Sequence, residues 1–200
     1  MIPTKMVIAS HNQKKVEEMH RILEQAGLSI EILGTDSFPD LQDVEETGST
    51  FAANAMLKAK YVSNETGLPA VADDSGLCVD ALNGMPGILS ARWAGEHGND
   101  QANLELLIAQ IAHVPKKRRG ASFVCAVAYC EPGVREFIVE GSMNGEIIDS
   151  PRGTHGFGYD PIFVPMGKSV TSAELTAQEK DAISHRGHAL KAFIKELTTG

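Results

Sequence analysis

Apolar and polar residues alternate along this chain with two different periods. Apolar residues side by side or at every second position predict strands, and apolar residues at every third or fourth position predict helices. In the first half this pattern predicts, in order, a strand over 6–10, a helix over 16–26 that ends at Gly27, a strand over 28–33, a helix from Phe51 to near Gly67, and a strand that begins with 70–72. Strands and helices that follow one another in this way are typical of an α/β domain.

The second half continues the alternation and adds a pair of neighbouring strands. It predicts, in order, renewed strand pattern over 77–79, a helix over 104–111 that Asp100 can cap, strands over 121–129 and 136–140, a short strand over 162–164, and a last helix over 190–197 that Ser184 can cap. The turn residues 131–133 between the two long strands favour a hairpin. A hairpin argues against an all-parallel sheet and favours a mixed one.

Size and charge narrow the possible functions. With 200 residues and 42% hydrophobic content, the chain suits one full-sized domain over 1–200 or two intimately joined lobes, with no independent second domain. Its 18 basic and 26 acidic residues give a formal net charge of −8, which would repel a nucleic acid backbone. A phosphate ligand therefore needs a local positive pocket or a metal ion.

The sequence predicts neither a signal peptide nor a membrane span. The apolar stretch 6–9 is too short for a signal-peptide core, and nowhere do about 18 apolar residues run together. Cys78, Cys125 and Cys130 form no C-x-x-C pair, which favours reduced thiols. We expect a cytoplasmic protein that binds no membrane and no nucleic acid.

The junction of the first strand and the first helix is a candidate anion site. It consists of Ser10, His11, Asn12, Gln13, Lys14 and Lys15. A helix N-terminus presents backbone N–H groups and the positive end of the helix dipole, and Lys15 would add a full charge. The G-x-x-x-x-G-K-[ST] spacing of a P-loop is absent, so these residues alone leave phosphate binding and ordinary helix capping both open.

Two acidic pairs are candidate metal ligands. Glu45-Glu46 and Asp73-Asp74 each stand where a regular pattern gives way to a predicted loop. Mg²⁺ prefers carboxylate oxygens and typically takes one or two of them together with substrate phosphates. Solvated loop charge is the alternative, more so for the first pair, because adjacent carboxylates directly after the apolar run 70–72 are costly without a cation.

Two further segments suit a nucleotide. Asn54 and Lys58 lie four residues apart and hence on one helix face, from which both could reach the same ligand. The segment 153–161 combines three glycines with Phe157 and Tyr159, so its backbone can approach a flat base and its rings can stack on that base. A surface amide and amine, and a tight turn packed with aromatics, are the alternatives.

A possible donor pair precedes the last predicted helix. His185 and Arg186 follow Ser184, and both side chains could donate hydrogen bonds to phosphate or base oxygens. Exposed surface cations are the alternative for this pair.

Taken together, these segments resemble the inosine triphosphate pyrophosphatase family, also called the non-canonical purine nucleoside triphosphate pyrophosphatases. The resemblance extends over nearly the whole chain. Its motifs are, in order, Ser10-x-Asn12-x-x-Lys15, Glu45-Glu46-Thr47-Gly48-x-Thr50-Phe51-x-x-Asn54-Ala55-x-x-Lys58-Ala59, Asp73-Asp74-Ser75-Gly76-Leu77, Pro86-Gly87, Ser90-Ala91-Arg92, Gly156-Phe157-Gly158-Tyr159-Asp160-Pro161, Glu179-Lys180 and Ser184-His185-Arg186. The chain departs from the family at His11 and His155, where bacterial members often have glycine, and at Trp93, where tyrosine is common.

The resemblance implies a fold, an activity and an assembly. The implied fold is α/β, with an elongated mixed central sheet flanked by helices and two lobes with a nucleotide cleft between them. The implied enzyme is a nucleoside triphosphate pyrophosphatase that converts ITP, dITP and XTP to the monophosphate and pyrophosphate by attack of water on the α-phosphorus. It would use Mg²⁺, with Mn²⁺ as a substitute, and would be a homodimer.

The resemblance also assigns roles to residues. Asp74 is the implied proton acceptor, and the implied metal ligands are Asp74 and Glu45, with Glu46 and Asp73 as further candidates. The implied substrate-binding residues are Ser10, His11, Asn12, Gln13, Lys14, Lys15, Asn54, Lys58, Ser75, Phe157, Gly158, Tyr159, Asp160, Lys180, His185 and Arg186. Within this set, residues 10–15 would hold the triphosphate, and His185 and Arg186 would donate to the 6-keto oxygen of the base.

Two other function classes compete with this interpretation. A non-catalytic purine nucleotide-binding or sensor protein on the same fold would keep the base-binding residues but would not need the acidic pairs. A nucleotide kinase or phosphotransferase would need a Walker-type loop or a lid-like arginine cluster, and the sequence has neither.

Overall fold

The computed structural model describes residues 2–10 and 12–199 and contains a mixed sheet with helices beside it. The strands are β1 (Lys5–Ile8), β2 (Glu31–Gly34), β3 (Ala70–Val79), β4 (Gly120–Glu131), β5 (Arg135–Ile147) and β6 (Phe163–Pro165). The helices are α1 (Gln13–Gln25), α2 (Phe51–Thr66), α3 (Asp100–Gln110), α4 (Ala177–Ile183) and α5 (His185–Thr199).

The six strands form one sheet in the order β2-β1-β3-β4-β5-β6. Strand β1 runs parallel to β2 and β3, with Val7 paired to Ala70, whereas β6 runs antiparallel to β5. Strands β4 and β5 are neighbours joined by a tight turn, in which the Val134 N–H donates to the Glu131 carbonyl at 3.1 Å. The predicted mixed sheet and the predicted hairpin are therefore confirmed.

The structure corrects several predicted element boundaries and adds one helix. Strand β3 does not end before the first acidic residue of its segment but continues to Val79. Strand β5 continues to Ile147, because Gly145, which resembles a strand breaker in sequence, leaves room for the Phe163 ring: a Cβ there would lie 2.6 Å from it. The cap of α3 is Asn99 rather than Asp100, and α4 was not predicted as a helix.

The chain divides into two compact units. The first contains Met1–Asp74, Cys125–Gly141 and Arg186–Gly200, and the second contains Ser75–Val124 and Ser142–His185. In the first unit, successive residues of β1 enter different cores: Met6 packs with residues of α1 and α5, and Val7 packs with residues of α2. Alternation along a strand sends side chains to opposite faces, so the sheet of the first unit has helices on both faces.

The second unit has its own apolar core. Leu104 and Leu107 of α3 pack there with Phe123 of β4 and with Phe163 of β6. Tyr159 belongs to the same core and is 4% exposed. This core fixes the start of α3 and the segment around Tyr159 within one unit.

Candidate functional site

Strand β3 carries two adjacent buried aspartates in the first unit. Asp73 is 2% exposed and Asp74 is 6% exposed. Because neighbouring residues of a strand point to opposite faces, the two carboxylates have different partners. Asp73 contacts residues of α1 and α5, and Asp74 contacts α2. These partners explain why the strand continues through the acidic pair, which the sequence suggested would end it.

The carboxylate of Asp73 is held by two cations. Its Oδ2 lies 3.1 Å from Lys15 Nζ, and it accepts from Nε and Nη2 of Arg186 at 3.3 and 3.2 Å. Arg186, only 1% exposed, also pairs with Glu18 of α1. Burial by itself would raise the pKa of Asp73, but the charges of Lys15 and Arg186 outweigh burial and hold that pKa well below its usual range. The carboxylate of Asp73 is therefore ionised at neutral pH.

Asp74 lies in a different environment. Its Oδ2 accepts from the Asn54 amide at 3.0 Å, and Asn54 is itself fixed because its Oδ1 accepts from the Gly48 N–H at 2.8 Å. Burial raises the pKa of Asp74, the negative charge of Glu46 raises it further, and Lys58 and Asn54 oppose the rise only in part. A carboxylate with a raised pKa is a stronger base than an ordinary aspartate.

Lys58 is the cation beside Asp74. Its ammonium donates to Glu46 Oε1 at 2.7 Å and to the backbone carbonyl of Asp73 at 2.8 Å. Burial alone would lower the pKa of Lys58, but the charges of Asp74, Asp73 and Glu46 outweigh it and raise the pKa. Lys58 therefore stays charged and can neutralise negative charge near Asp74.

The predicted anion site at residues 10–15 contains a capped helix start. Asn12 is the N-cap of α1, and its Oδ1 accepts from the N–H groups of Lys14 and Lys15 at 3.1 and 3.3 Å. Asn12, Gln13 and Lys14 are exposed, whereas the Lys15 side chain reaches Asp73. Ser10 Oγ accepts from the Asn12 N–H at 3.3 Å. His11 lies outside the described residues.

The predicted metal ligands do not form a preformed site of three or more side chains among the described residues. Over residues 2–10 and 12–199, no group of three or more His, Cys, Asp or Glu side chains is arranged to hold a metal ion. Glu46 is half-buried and paired with Lys58, and Glu45 is exposed. The available donors are hard carboxylate oxygens, which fit Mg²⁺, an ion that commonly takes one or two protein carboxylates and fills its shell with water and phosphate oxygens.

The second unit holds a separate polar cluster around Asp160. Its Oδ2 accepts from the Phe157 N–H at 2.9 Å and from Lys180 Nζ at 2.6 Å. The Lys180 ammonium also lies 5.0 Å from the centre of the Phe157 ring, a cation–π contact. Asp160 and Lys180 are 2% and 7% exposed. Asp160 therefore orients both Phe157 and Lys180.

Tyr159 and His185 are packed into the second unit. Tyr159 donates its hydroxyl hydrogen to the Ser90 carbonyl at 2.9 Å, and burial followed by the charge of Asp100 raises the pKa of Tyr159. The His185 ring stacks on Phe123 with 4.8 Å between ring centres. Because His185 is only 5% exposed and Arg186 only 1%, the alternative of exposed surface cations for this pair is wrong.

Comparison of the sequence with protein-family models identifies the family of the chain. A family model described as the Ham1 family matches residues 6–196. The chain belongs to the Ham1 family. This match and the relatives' names confirm the family that the sequence motifs resemble.

Two curated relatives of this Ham1-family chain carry the same name. A protein of Streptomyces coelicolor named dITP/XTP pyrophosphatase is 56% identical over 191 residues, which cover 96% of each chain. One of Corynebacterium efficiens with the same name is 54% identical, over 96% of this chain and 97% of its own.

Solved structures of relatives share the fold. A nucleoside-triphosphatase or dITP/XTP pyrophosphatase from Mycobacterium abscessus matches with a TM-score of 0.79 and 52% identity, over 95% of this chain and 98% of its own. A HAM1 protein from Coxiella burnetii matches with a TM-score of 0.89 and 42% identity, over the full length of both chains. The predicted α/β fold is confirmed.

Two further predicted substrate-binding residues, Ser75 and Gly158, lie in or at the start of the second unit. Ser75 is partly buried and is the first residue of the second unit, and the Gly158 N–H donates to Asp100.

Within the part of the chain that the structure describes, no helix has the length and hydrophobicity that a bilayer-spanning segment requires.

Sequence reasoning missed Glu18, the second partner of Arg186. Its buried carboxylate lies three positions after Lys15 on α1, so the two share one helix face. Charged residues flank the apolar positions along the whole of α1, so no pattern in the sequence distinguishes Glu18 from its neighbours.

Proposed function

We propose that this Ham1-family chain hydrolyses non-canonical purine nucleoside triphosphates, namely dITP, XTP and ITP, and so removes them from the nucleotide pool. The products are the nucleoside monophosphate and pyrophosphate. One observation carries the proposal: Asp74 is a buried carboxylate with a raised pKa, oriented by Asn54 and placed beside the cation Lys58. The names of relatives at 50–56% identity supply the substrate class.

Asp74 is the proton acceptor in the proposed reaction. It takes a proton from a water molecule whose oxygen attacks the α-phosphorus, and the bond from that phosphorus to the bridging oxygen of pyrophosphate breaks. Burial and the neighbouring Glu46 make Asp74 a better base, and the hydrogen bond from Asn54 holds its carboxylate in place. Phosphoryl transfer depends mainly on such positioning and on charge neutralisation.

We assign a Mg²⁺ site to Asp74 and Glu45, with Mn²⁺ as a substitute. The other two acids are less suited, because Glu46 is paired with Lys58 and Asp73 with Lys15 and Arg186. Both stay candidates for a supporting role. A bound Mg²⁺ ion would neutralise triphosphate charge and lower the pKa of a bound water.

Charged and polar side chains of the first unit would hold the triphosphate. Lys58 lies beside the proposed base, and Lys14 and Gln13 are exposed at the start of α1. The backbone N–H groups of Lys14 and Lys15 already bind the Asn12 side chain, so triphosphate binding there would replace or share that cap.

The purine base is assigned to residues of the second unit. The Phe157 ring offers a stacking surface, and Lys180 and Asp160 hold it in place. Donation by His185 and Arg186 to the 6-keto oxygen of the base stays a prediction from the family resemblance. The same holds for the homodimer, the cytoplasmic location and the cleft between two lobes.

A nucleotide panel tests the proposal. With Mg²⁺, we expect equimolar monophosphate and pyrophosphate from ITP, dITP and XTP, and much slower turnover of GTP and ATP. Chelation with EDTA should abolish the activity, and added Mg²⁺ or Mn²⁺ should restore it. Tight binding of ITP without turnover across several divalent metals would instead support a sensor protein, and release of orthophosphate would contradict cleavage at the α-phosphorus.

A further inference from the structure

The segment that carries Phe157 is a glycine-rich loop that needs outside support. This base loop, defined as residues 153–160, contains Gly153, Gly156 and Gly158 with φ of 83°, 76° and 60°. Glycine adopts left-handed φ values at little energetic cost. It also has more accessible backbone conformations than any other residue, so ordering a glycine-rich loop costs more conformational entropy. The position of the loop therefore depends on hydrogen bonds: Asp160 supplies one from within the loop, to the Phe157 N–H, and other segments supply more.

Both ends of the base loop are bound to the second unit. At its start, the N–H groups of Thr154 and His155 donate to the Ala173 carbonyl at 3.1 and 3.0 Å. At its end, the Tyr159 hydroxyl donates to Ser90. These contacts fix the two ends of the loop. They do not bind the peptide groups on either side of Phe157, which have other hydrogen-bond partners.

One of those partners comes from α3. The Gly158 N–H donates to Asp100 Oδ2 at 2.8 Å, across a separation of 58 residues in the chain. This is a charge-assisted hydrogen bond, which is stronger than one between neutral groups. It holds the peptide bond between Phe157 and Gly158, directly next to the ring.

Asp100 is itself held on a rigid element. It is the first residue of α3, and the preceding Asn99 caps that helix by accepting from the Ala102 N–H at 3.2 Å. Leu104 and Leu107 anchor α3 in the core of the second unit. The backbone of Asp100 is therefore held in place, and its exposed carboxylate extends from this fixed position to the Gly158 N–H.

We propose that Asp100 is a positioning residue for nucleotide binding. By accepting the Gly158 N–H, it sets the Phe157–Gly158 peptide and so keeps the Phe157 ring in the orientation that receives the base. Asp100 itself does not contact the nucleotide. This inference rests on the proposed function, because it deepens the assignment of the base to Phe157.

Kinetics of an Asp100→Ala variant test this role. We expect KM for ITP to rise about 10-fold, because a charge-assisted hydrogen bond that orders the base loop is lost. The value of kcat should stay within about twofold, since Asp74 keeps its partners. Asp100→Asn, which retains an acceptor oxygen, should remain close to the unmodified protein.

Asn99→Ala is the matched control, because it removes the cap of α3 and leaves the Asp100 carboxylate. It should lower the melting temperature at least as much as Asp100→Ala while leaving KM within about twofold. Inorganic triphosphate, which has no base, should inhibit the unmodified protein and Asp100→Ala with the same inhibition constant. A ¹H–¹⁵N spectrum should show the Gly158 amide proton shifting upfield in Asp100→Ala but not in Asn99→Ala.

The inference is overturned if KM in Asp100→Ala is unchanged, if Asn99→Ala raises KM equally, or if the loss is in kcat alone. Should Asp100→Ala not fold, Asp100→Ser is judged by the same criteria, because serine suits a helix start but is too short to reach Gly158. Absence of turnover in the unmodified protein would refute the proposed function instead, and the Gly158 amide shift would then still decide whether Asp100 holds the loop.

Discussion

Asp74→Asn is expected to lower the rate of pyrophosphate release from ITP by two to four orders of magnitude. The substitution keeps the size of the side chain and an oxygen that can accept the hydrogen bond from Asn54. It removes the basic carboxylate that takes the proton from water and also removes a proposed Mg²⁺ ligand. The measurement is steady-state pyrophosphate release at saturating ITP and Mg²⁺.

Asp40→Asn is the control for this prediction. Asp40 is an exposed acid of the same unit, and its substitution changes the net charge by the same amount. We expect its rate to match the unmodified protein. If Asp74→Asn were as active as Asp40→Asn, Asp74 would not be the proton acceptor.

Arg186→Met is expected to reduce the free energy of unfolding by about 3–5 kcal/mol. The guanidinium of Arg186 is buried and pairs with both Glu18 and Asp73. Methionine carries no charge, so it would leave the two buried carboxylates with too little compensating charge. Lys15 still pairs with Asp73, but Glu18 loses its pairing with Arg186. Urea unfolding followed by circular dichroism measures the change.

Lys5→Met is the matched control for the buried pair. Lys5 lies 3.1 Å from Glu31, but the two side chains are 41% and 57% exposed. Exposed pairs contribute about 0–1 kcal/mol, so this variant should unfold within that range of the unmodified protein. An Arg186→Met variant as stable as Lys5→Met would show that the buried ion network does not support the first unit.

The local pattern of the sequence was enough for the order of the strands and of every helix except α4. The hairpin of β4 and β5 followed from two apolar runs around a Pro-Gly turn, and the helices α1, α2, α3 and α5 followed from apolar spacing. Boundaries failed where distant residues intervene. Asp73 and Asp74 resemble the end of a strand until Lys15, Arg186 and Asn54 supply the partners that let β3 continue.

The candidate site could be predicted only as separate segments. Motif resemblance named Asp74, Lys58, Phe157 and Lys180, but no pattern in the sequence shows that Asp160 orients Phe157. Asp100 resembled a helix cap, and its contact with Gly158 depends on chain segments 58 residues apart. Contacts of this kind are set by packing of the core, which local periodicity does not encode.

Oxygen labelling tests the central claim most directly. The protein is incubated with ITP and Mg²⁺ in H₂¹⁸O, and the ¹⁸O content of each product is measured by mass spectrometry. Attack of water on the α-phosphorus predicts one ¹⁸O atom in the inosine monophosphate and none in the pyrophosphate. Label in the pyrophosphate or in orthophosphate would contradict the account, because water would then have attacked a different phosphorus.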